Sequence, residues 1–163
     1  MFWLKYEIVI ILKFILIKSH KYKKYGKKNL LLNPGAIFKK NRTIKFQFDM
    51  FHGNGVLDKA INVLDPKDRN DFRDYVNTNN SFNQGNMFIT KSSKLMDLYF
   101  SDIFSWLERC EKIFGFNLVG YNKIRIYTFL AERYLSYWFK KHTKYTVLPI
   151  IFKDISDFNY KDL

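Results

Sequence analysis

The stretch from residue 86 to residue 138 constrains the fold of this 163-residue chain more than any other. It opens with a short apolar segment, residues 86–89, that is typical of a β-strand. Apolar side chains then recur at three- and four-residue spacing from Met96 to Phe114, which predicts a long helix with one apolar face. A face of that length has to be buried against other elements, so this stretch predicts the centre of a core.

Both ends of this helix carry recognisable signals. Ser92 or Ser93 stands at the expected N-cap, where a hydroxyl accepts from backbone N–H groups that lack an intrahelical partner. Gly115 follows as a left-handed stop. A second helix is predicted over residues 124–141, and its last turn contains Lys140 and Lys141, cations that suit the negative end of the helix dipole.

Glu132 and Arg133 interrupt the apolar pattern of the second helix. Adjacent residues lie about 100° apart around a helix, so both cannot face water while the neighbouring aromatic residues face the core. A buried charge is costly unless it is paired, so we expect a partner or a ligand at this position. A structural ion pair and a functional carboxylate both remain open at this point.

The positive charge of the chain is concentrated near its N-terminus. Residues 1–47 hold twelve Lys and Arg against Glu7, or +11 of the total net charge of +13, which leaves +2 for all other residues. The basic pI therefore belongs to an N-terminal segment, and this weakens the case for a nucleic-acid-binding domain.

The N-terminal segment itself has three interpretations. Residues 2–17 are mostly apolar but too interrupted by charge to span a bilayer or to act as a good signal peptide. Residues 18–28 are rich in Lys and Tyr. Together, residues 2–17 and 18–28 are consistent with a buried strand followed by a solvated linker, or with a segment that lies on an anionic membrane. Contacts with nucleic acid are the least favoured interpretation.

Metal and thiol chemistry find little support in the sequence. The single cysteine, Cys110, lies on the apolar face of the first long helix, and we interpret it as a core residue in a reducing compartment. His20, His52 and His142 are scattered, so they form no cluster with metal-ligand spacing. No Asp-x-Asp triplet occurs in the chain.

The remaining elements are predicted from shorter signals. Residues 36–38 suggest a strand, residues 44–52 alternate at first and then turn apolar, and His52 precedes a flexible glycine loop where it can sit at the mouth of a site or simply at the surface. Short helices are predicted over residues 56–64 and after the N-cap Asp65. Residues 77–85 are expected to be a polar loop without regular structure, and residues 145–152 a strand.

Several motifs, taken in order, carry a family resemblance. They are Asp49-Met50-Phe51-His52, the Ser/Asn-rich loop, Asn86-Met87-Phe88-Ile89, Phe104-Ser105-Trp106-Leu107-Glu108, and the run from Arg125 to Arg133 containing Phe-Leu-Ala-Glu-Arg. Over residues 36–155 this order resembles the C-terminal half of a bacterial glycosyltransferase family of capsule, exopolysaccharide and lipopolysaccharide loci. The shared region of that family is often labelled only as a domain of unknown function.

The resemblance implies a fold and a set of site residues. The fold class is α/β, a partial GT-A-like domain in which a few strands are packed by two long C-terminal helices, mainly helical by residue count. The implied activity is sugar transfer from a nucleotide-sugar donor to a glycan or lipid-linked acceptor. Glu132 and His52 are the implied catalytic residues, and Asn86, Arg133 and Asp49 the implied substrate-binding residues.

The chain also departs from that family. The upstream part, which should hold the nucleotide-binding strands and an acidic motif for Mg²⁺ or Mn²⁺, is replaced by the apolar and lysine-rich residues 1–35. We therefore expect a truncated member with no metal ligands of its own, divided into residues 1–35, residues 36–155 and a tail, 156–163. Its expected location is the cytoplasm, at or near the inner membrane; the alternative is a non-catalytic membrane-surface or scaffold protein.

Overall fold

The computed structural model describes residues 30–32, 35–37 and 42–147. Helices dominate by residue count, and the strands are short, which confirms the expected mainly helical α/β class. The helices are α1 (Ile44–His52), α2 (Val56–Asn62), α3 (Pro66–Thr78), α4 (Ser93–Phe114), α5 (Tyr121–Ile124) and α6 (Ile126–His142). The strands are β1 (Leu30–Leu32), β2 (Gly35–Ile37), β3 (Ser81–Asn83), β4 (Phe88–Thr90) and β5 (Thr146–Val147).

The two long helices form where the periodicity predicts them. Ser92 caps α4, its Oγ accepting from the backbone N–H of Leu95 at 3.1 Å. Gly115 ends the helix with φ +65°, and its N–H donates to the Glu111 carbonyl oxygen at 2.8 Å. The second helix begins at Ile126 instead of residue 124, because the single turn α5 is separated from α6 by the non-helical ψ of Arg125.

The polar segment 77–85 is more ordered than its composition suggests. Helix α3 continues to Thr78, and Ser81–Asn83 forms β3, so the prediction of a loop without regular structure was wrong. Strand β3 pairs antiparallel with β2, with Ala36 opposite Phe82, and Phe82 is buried. A partner strand more than forty residues away and the burial of one aromatic ring therefore override the local preference of Asn and Ser for turns.

The other sheet is organised around β1. Strand β1 lies between β4, which is antiparallel to it, and β5, which is parallel. The predicted strand 86–89 is observed as Phe88–Thr90, shifted toward the C-terminus. The strand predicted over residues 145–152 is observed as Thr146–Val147, and its remaining residues lie outside the described part of the chain.

Helix α6 is the centre of the core. Most of its side chains are buried, and it packs against α3, α4 and β3. Trp106 and Trp138 are fully buried, and each indole N–H has an acceptor at 2.8 Å, the Ala60 carbonyl and the Asp102 carboxylate respectively. Cys110 is also fully buried, and burial raises its pKa to about 12, which confirms it as a core residue.

Within the described residues, none of the helices is both long enough and apolar enough to cross a bilayer.

Candidate functional site

Three separate elements bring polar side chains together around the middle of α6. We call the group formed by Gln47, His52, Gly85, Asn86, Phe129, Glu132 and Arg133 the Glu132 cluster. Helix α1 contributes Gln47 and His52, the turn between β3 and β4 contributes Gly85 and Asn86, and α6 contributes the rest. Four of the five predicted site residues are in this cluster, although they are far apart in the sequence.

Glu132 and Arg133 are partners of each other. Arg133 Nη1 lies 2.9 Å from Glu132 Oε2, and the other carboxylate oxygen, Oε1, accepts from the backbone N–H of Gly85 at 3.2 Å. Arg133 is 2% exposed, and its Nη2 donates to Gln47 Oε1 at 2.7 Å. The expectation that one of the two charges is buried and needs a partner is therefore confirmed.

The Arg133 guanidinium is also enclosed by aromatic rings. Its Cζ lies 4.3 Å from the ring centroid of Phe82, 5.3 Å from that of Phe48 and 6.0 Å from that of Phe129. A desolvated cation held over ring faces gains quadrupole attraction that an exposed one does not. Because the hydrogen bonds and rings hold this side chain in place, its position relative to Glu132 is well defined.

Burial opposes the charge on both members of the pair. It raises the pKa of the Glu132 carboxyl, although the Arg133 charge and the Gly85 N–H act in the other direction. It lowers the pKa of Arg133 to about 10, partly offset by the Glu132 charge. A carboxyl group with a raised pKa is a stronger base once ionised, so it is better suited to accept a proton near neutral pH.

His52 is buried, so the interpretation of a surface histidine was wrong. Its ring stacks on Phe129 with a centroid separation of 4.1 Å and an interplanar angle of 23°. Burial first, and the positive charge of Arg133 second, lower the pKa of His52 to about 4. The imidazole is therefore neutral at pH 7, and its buried Nδ1 has no hydrogen-bond partner among the described residues.

Asn86 adopts a left-handed backbone with φ +49°, a conformation that asparagine tolerates better than most residues. Its Nδ2 donates to the Thr128 carbonyl at 3.1 Å, which ties the turn before β4 to α6. Its Oδ1 is buried and has no partner among the described residues. The same is true of Arg133 Nε, so three buried polar atoms without partners belong to one cluster.

Asp49 makes a different set of contacts. Its carboxylate pairs with Lys45, which also lies 2.8 Å from Asp58, and it accepts from the backbone N–H of Gly55 at 3.3 Å. These contacts close the corner between α1 and α2. A role for Asp49 in substrate binding remains a prediction.

A cavity of about 300 Å³ lies about two helical turns further along α6, at Lys140. It shares Phe82 with the rings around Arg133, and its other lining residues are Tyr75, Asn79, Ser81, Asn83, Lys140, Tyr145 and Val147. Lys140 Nζ stands 5.7 Å from the Tyr75 ring centroid. The sequence did not indicate this cavity, because its lining comes from four segments whose proximity depends on β3 pairing and on α6 packing.

The chain was compared with known families, curated proteins and solved structures. Residues 10–143 match the model of a family described as "Domain of unknown function (DUF4422)". The chain belongs to this family. Searches of curated proteins and of solved structures returned no match.

The DUF4422 match includes every residue of the Glu132 cluster, and it ends before β5. It also extends further toward the N-terminus than the resemblance seen in the sequence, which began at residue 36. Among residues 30–32, 35–37 and 42–147, no three His, Cys, Asp or Glu side chains are grouped as metal ligands.

Proposed function

We propose that this chain belongs to a nucleotide-sugar-dependent glycosyltransferase of bacterial surface polysaccharide biosynthesis, with a GT-A-like domain. In this proposal the protein transfers a sugar from a nucleotide-sugar donor to a glycan or lipid-linked acceptor of capsule, exopolysaccharide or lipopolysaccharide. The single observation that carries it is the Glu132 cluster, in which a partly buried carboxylate lies among buried polar atoms that have no partner within residues 30–32, 35–37 and 42–147. Such atoms are rare in folded proteins and are expected where a ligand completes the hydrogen bonds.

Glu132 is the proposed general base. In sugar transfer the acceptor oxygen bonds to the anomeric carbon while the bond from that carbon to the diphosphate breaks and the nucleoside diphosphate leaves, and a base takes the proton of the acceptor hydroxyl. Burial raises the pKa of this carboxyl, while Gly85 N–H and Arg133 hold its two oxygens in fixed positions. Each oxygen has a second lone pair with which it can accept from a substrate hydroxyl.

Arg133 acts in this proposal as a positioning residue. It is almost completely buried, its Nη1 and Nη2 donate to Glu132, Gln47 and the Phe129 carbonyl, and only its Nε lacks a partner among the described residues.

His52 and Asn86 supply uncharged hydrogen-bonding atoms beside the carboxylate. A neutral imidazole with an unpartnered Nδ1 and an amide with an unpartnered Oδ1 can bind sugar hydroxyls without adding charge. The cavity next to the cluster is lined by aromatic rings and amide side chains, a combination suited to a saccharide ring. It is the proposed location of part of the acceptor glycan.

The proposed location is the cytoplasm, at the inner face of the membrane where lipid-linked acceptors are found. A second candidate function, a non-catalytic membrane-surface or scaffold protein, is favoured by one observation. Residues 1–47 carry +11 of the net charge of +13, and clustered basic residues bind anionic lipid headgroups.

The test combines ligand binding with turnover. A panel of nucleoside diphosphates and nucleotide sugars is titrated, with and without Mg²⁺ or Mn²⁺, while the unfolding temperature is measured, since a ligand that binds only the folded state raises it. Glu132→Gln is expected to keep the shift but to reduce turnover by about 100-fold. Glu108→Gln, at an exposed carboxylate on α4, is the matched control. The transferase proposal fails if no nucleotide binds or if Glu132→Gln transfers sugar at the normal rate.

A further inference from the structure

Exposed apolar side chains are concentrated on one part of the described surface. Ten large hydrophobic side chains of the described residues are exposed, and seven of them lie on α1 or in the connection between α4 and α6. Contiguous apolar surface of this kind marks an interaction site more often than scattered single residues do. We use the name apolar patch for Phe46, Met50, Phe51, Tyr121 and Ile124, whose exposed fractions lie between 49% and 65%.

The two halves of the apolar patch are neighbours in space. Helix α1 packs against α5. A series of ring contacts joins them, because Tyr121 lies 6.3 Å from Phe129, Phe129 stacks on His52 at 4.1 Å, and His52 lies 6.4 Å from Phe51. The patch therefore forms one surface beside the Glu132 cluster.

The orientation of α1 leaves this surface without a neighbour among the residues that the structure describes. Ile44, Phe48 and His52 recur every four residues and are buried. Phe46 lies two residues after Ile44, and Met50 lies two residues after Phe48. Two residues correspond to about 200° around the helix, so both side chains point away from the core. A helix that buries one stripe and exposes phenylalanine and methionine on the opposite side has a second apolar face to cover.

Cations surround the apolar patch. Arg42 Cζ lies 5.9 Å from the Phe46 ring centroid, and Arg125 Cζ lies 5.2 Å from that of Tyr121. Lys123 adds a third exposed cation on α5. Within the described residues none of these three forms an ion pair, whereas the nearby Asp49 and Asp58 are both held by Lys45.

We propose that the apolar patch is a membrane-binding surface that inserts into the interface of an anionic lipid bilayer. Aromatic and aliphatic side chains of an amphipathic surface enter the boundary between headgroups and acyl chains, and flanking Arg and Lys contact lipid phosphates. The charge of the surroundings favours lipid over a protein partner, and the sequence outside the patch is cationic as well. This surface belongs to the folded domain and is distinct from residues 1–28. Its binding to lipid does not depend on sugar transfer.

The test places a reporter in the patch. Phe51→Cys is labelled with an environment-sensitive fluorophore, and Leu98→Cys, at an exposed position on α4, is the matched control. The native Cys110 does not compete, because it is fully buried and its pKa is raised to about 12. With vesicles of phosphatidylcholine and phosphatidylglycerol, the label at residue 51 is expected to shift to the blue and brighten, while the label at residue 98 does not.

A second experiment removes the apolar surface. Met50→Ser with Phe51→Ser is expected to weaken vesicle binding at least about tenfold, because two large apolar side chains leave the lipid. Leu98→Ser is expected to leave binding unchanged, and both proteins should unfold at nearly the wild-type temperature, since the altered residues are exposed.

Three results would overturn the proposal. One is vesicle binding without a spectral change at residue 51, which would assign the binding to the basic N-terminal segment alone. Another is an equal response at residues 51 and 98. The third is a dimer in solution that Phe51→Ser dissociates, together with no vesicle binding, which would make the patch an interface between two copies of this chain.

Discussion

Helix α6 carries two buried clusters that pair a carboxylate with a cation, and they differ in how completely their polar atoms are satisfied. At its C-terminal end, Asp68 is 1% exposed and accepts from Lys141 Nζ at 2.9 Å and from Tyr137 OH at 3.1 Å. The Asp68 pKa is lowered, because these hydrogen bonds and the Lys141 charge outweigh burial. In the Glu132 cluster burial prevails, and the pKa of the carboxyl is raised.

The difference shows which of the two clusters is structural. The Asp68 carboxylate has protein donors on both oxygens, since Tyr134 OH adds a contact at 3.4 Å to Oδ2, and the cluster joins α3 to α6. The Glu132 cluster contains three atoms without partners in the described part of the chain, namely His52 Nδ1, Asn86 Oδ1 and Arg133 Nε. A satisfied network stabilises the fold, whereas an incomplete one costs stability and is retained where a ligand completes it.

The largest expected effect comes from removing the buried cation of the Glu132 cluster. Arg133→Met should lower the free energy of unfolding by about 3–5 kcal/mol, because it leaves the Glu132 carboxylate partly buried and unpaired. Urea denaturation measures the loss. The double variant Glu132→Gln with Arg133→Met should recover much of it. An equally large loss in the double variant would mean that Arg133 acts through packing against Phe82 and not through its charge.

The next effect tests the structural cluster. Asp68→Asn should lower the free energy of unfolding by about 2–3 kcal/mol, since Lys141 and two tyrosine hydroxyls lose a charged acceptor. The folded-state pKa of Asp68 lies below its ordinary value of 3.8, so the stability it contributes is present above that pH and is lost as the pH falls through the folded-state pKa. The difference between wild type and Asp68→Asn should therefore disappear in acid.

Glu132→Gln should show the opposite pH dependence. The folded-state pKa of Glu132 lies above its ordinary value of 4.5, so ionising it opposes folding as the pH rises through the folded-state pKa. The stability of Glu132→Gln relative to wild type should therefore increase with pH. Urea titrations in steps of pH compare the two variants directly. The same sign of slope for both would contradict the contrast drawn between the clusters.

A smaller stability effect is expected at His52. The folded-state pKa of about 4 lies below the ordinary value of 6.5, so the neutral ring stabilises the fold above pH 6.5, and this contribution is lost as the pH falls toward 4. His52→Phe should remove that acid sensitivity and change stability at pH 7 by only about 1 kcal/mol, because Phe can stack on Phe129 in the same way. Turnover should fall if the unpartnered Nδ1 binds substrate. Calorimetry at pH 5 and pH 7 measures the stability change.

The smallest stability effect is expected at the cavity. Lys140→Gln should change the free energy of unfolding by less than about 0.5 kcal/mol, because this lysine is exposed and has no ion pair within the described residues. Isothermal titration with the acceptor glycan should nevertheless show weaker binding than in the matched control Lys112→Gln. Equal affinities in the two variants would remove the cavity from the proposed acceptor site.

Much of the architecture could be predicted from short-range patterns. The caps at Ser92 and Gly115 and the apolar spacing between them define α4 without reference to other elements, and the same holds for Asp65 at the start of α3. Helix α1 was not indicated, because its first residues alternate in polarity and its N-cap, Thr43, was not recognised. Strand β3 was missed because the residues that pair with it lie in another part of the chain.

The sequence by itself placed two charged residues, Glu132 and Arg133, within the apolar pattern of the helix that became α6. It required that Glu132 or Arg133 be buried, because helical geometry leaves adjacent residues no common exposed side. The partners of this pair were decided only by tertiary structure. Gln47 and Gly85 reach it through the packing of α1 and the β3–β4 turn against α6, and no local signal encodes contacts between segments so far apart in the sequence. The clustering of unpartnered atoms there follows from the same packing.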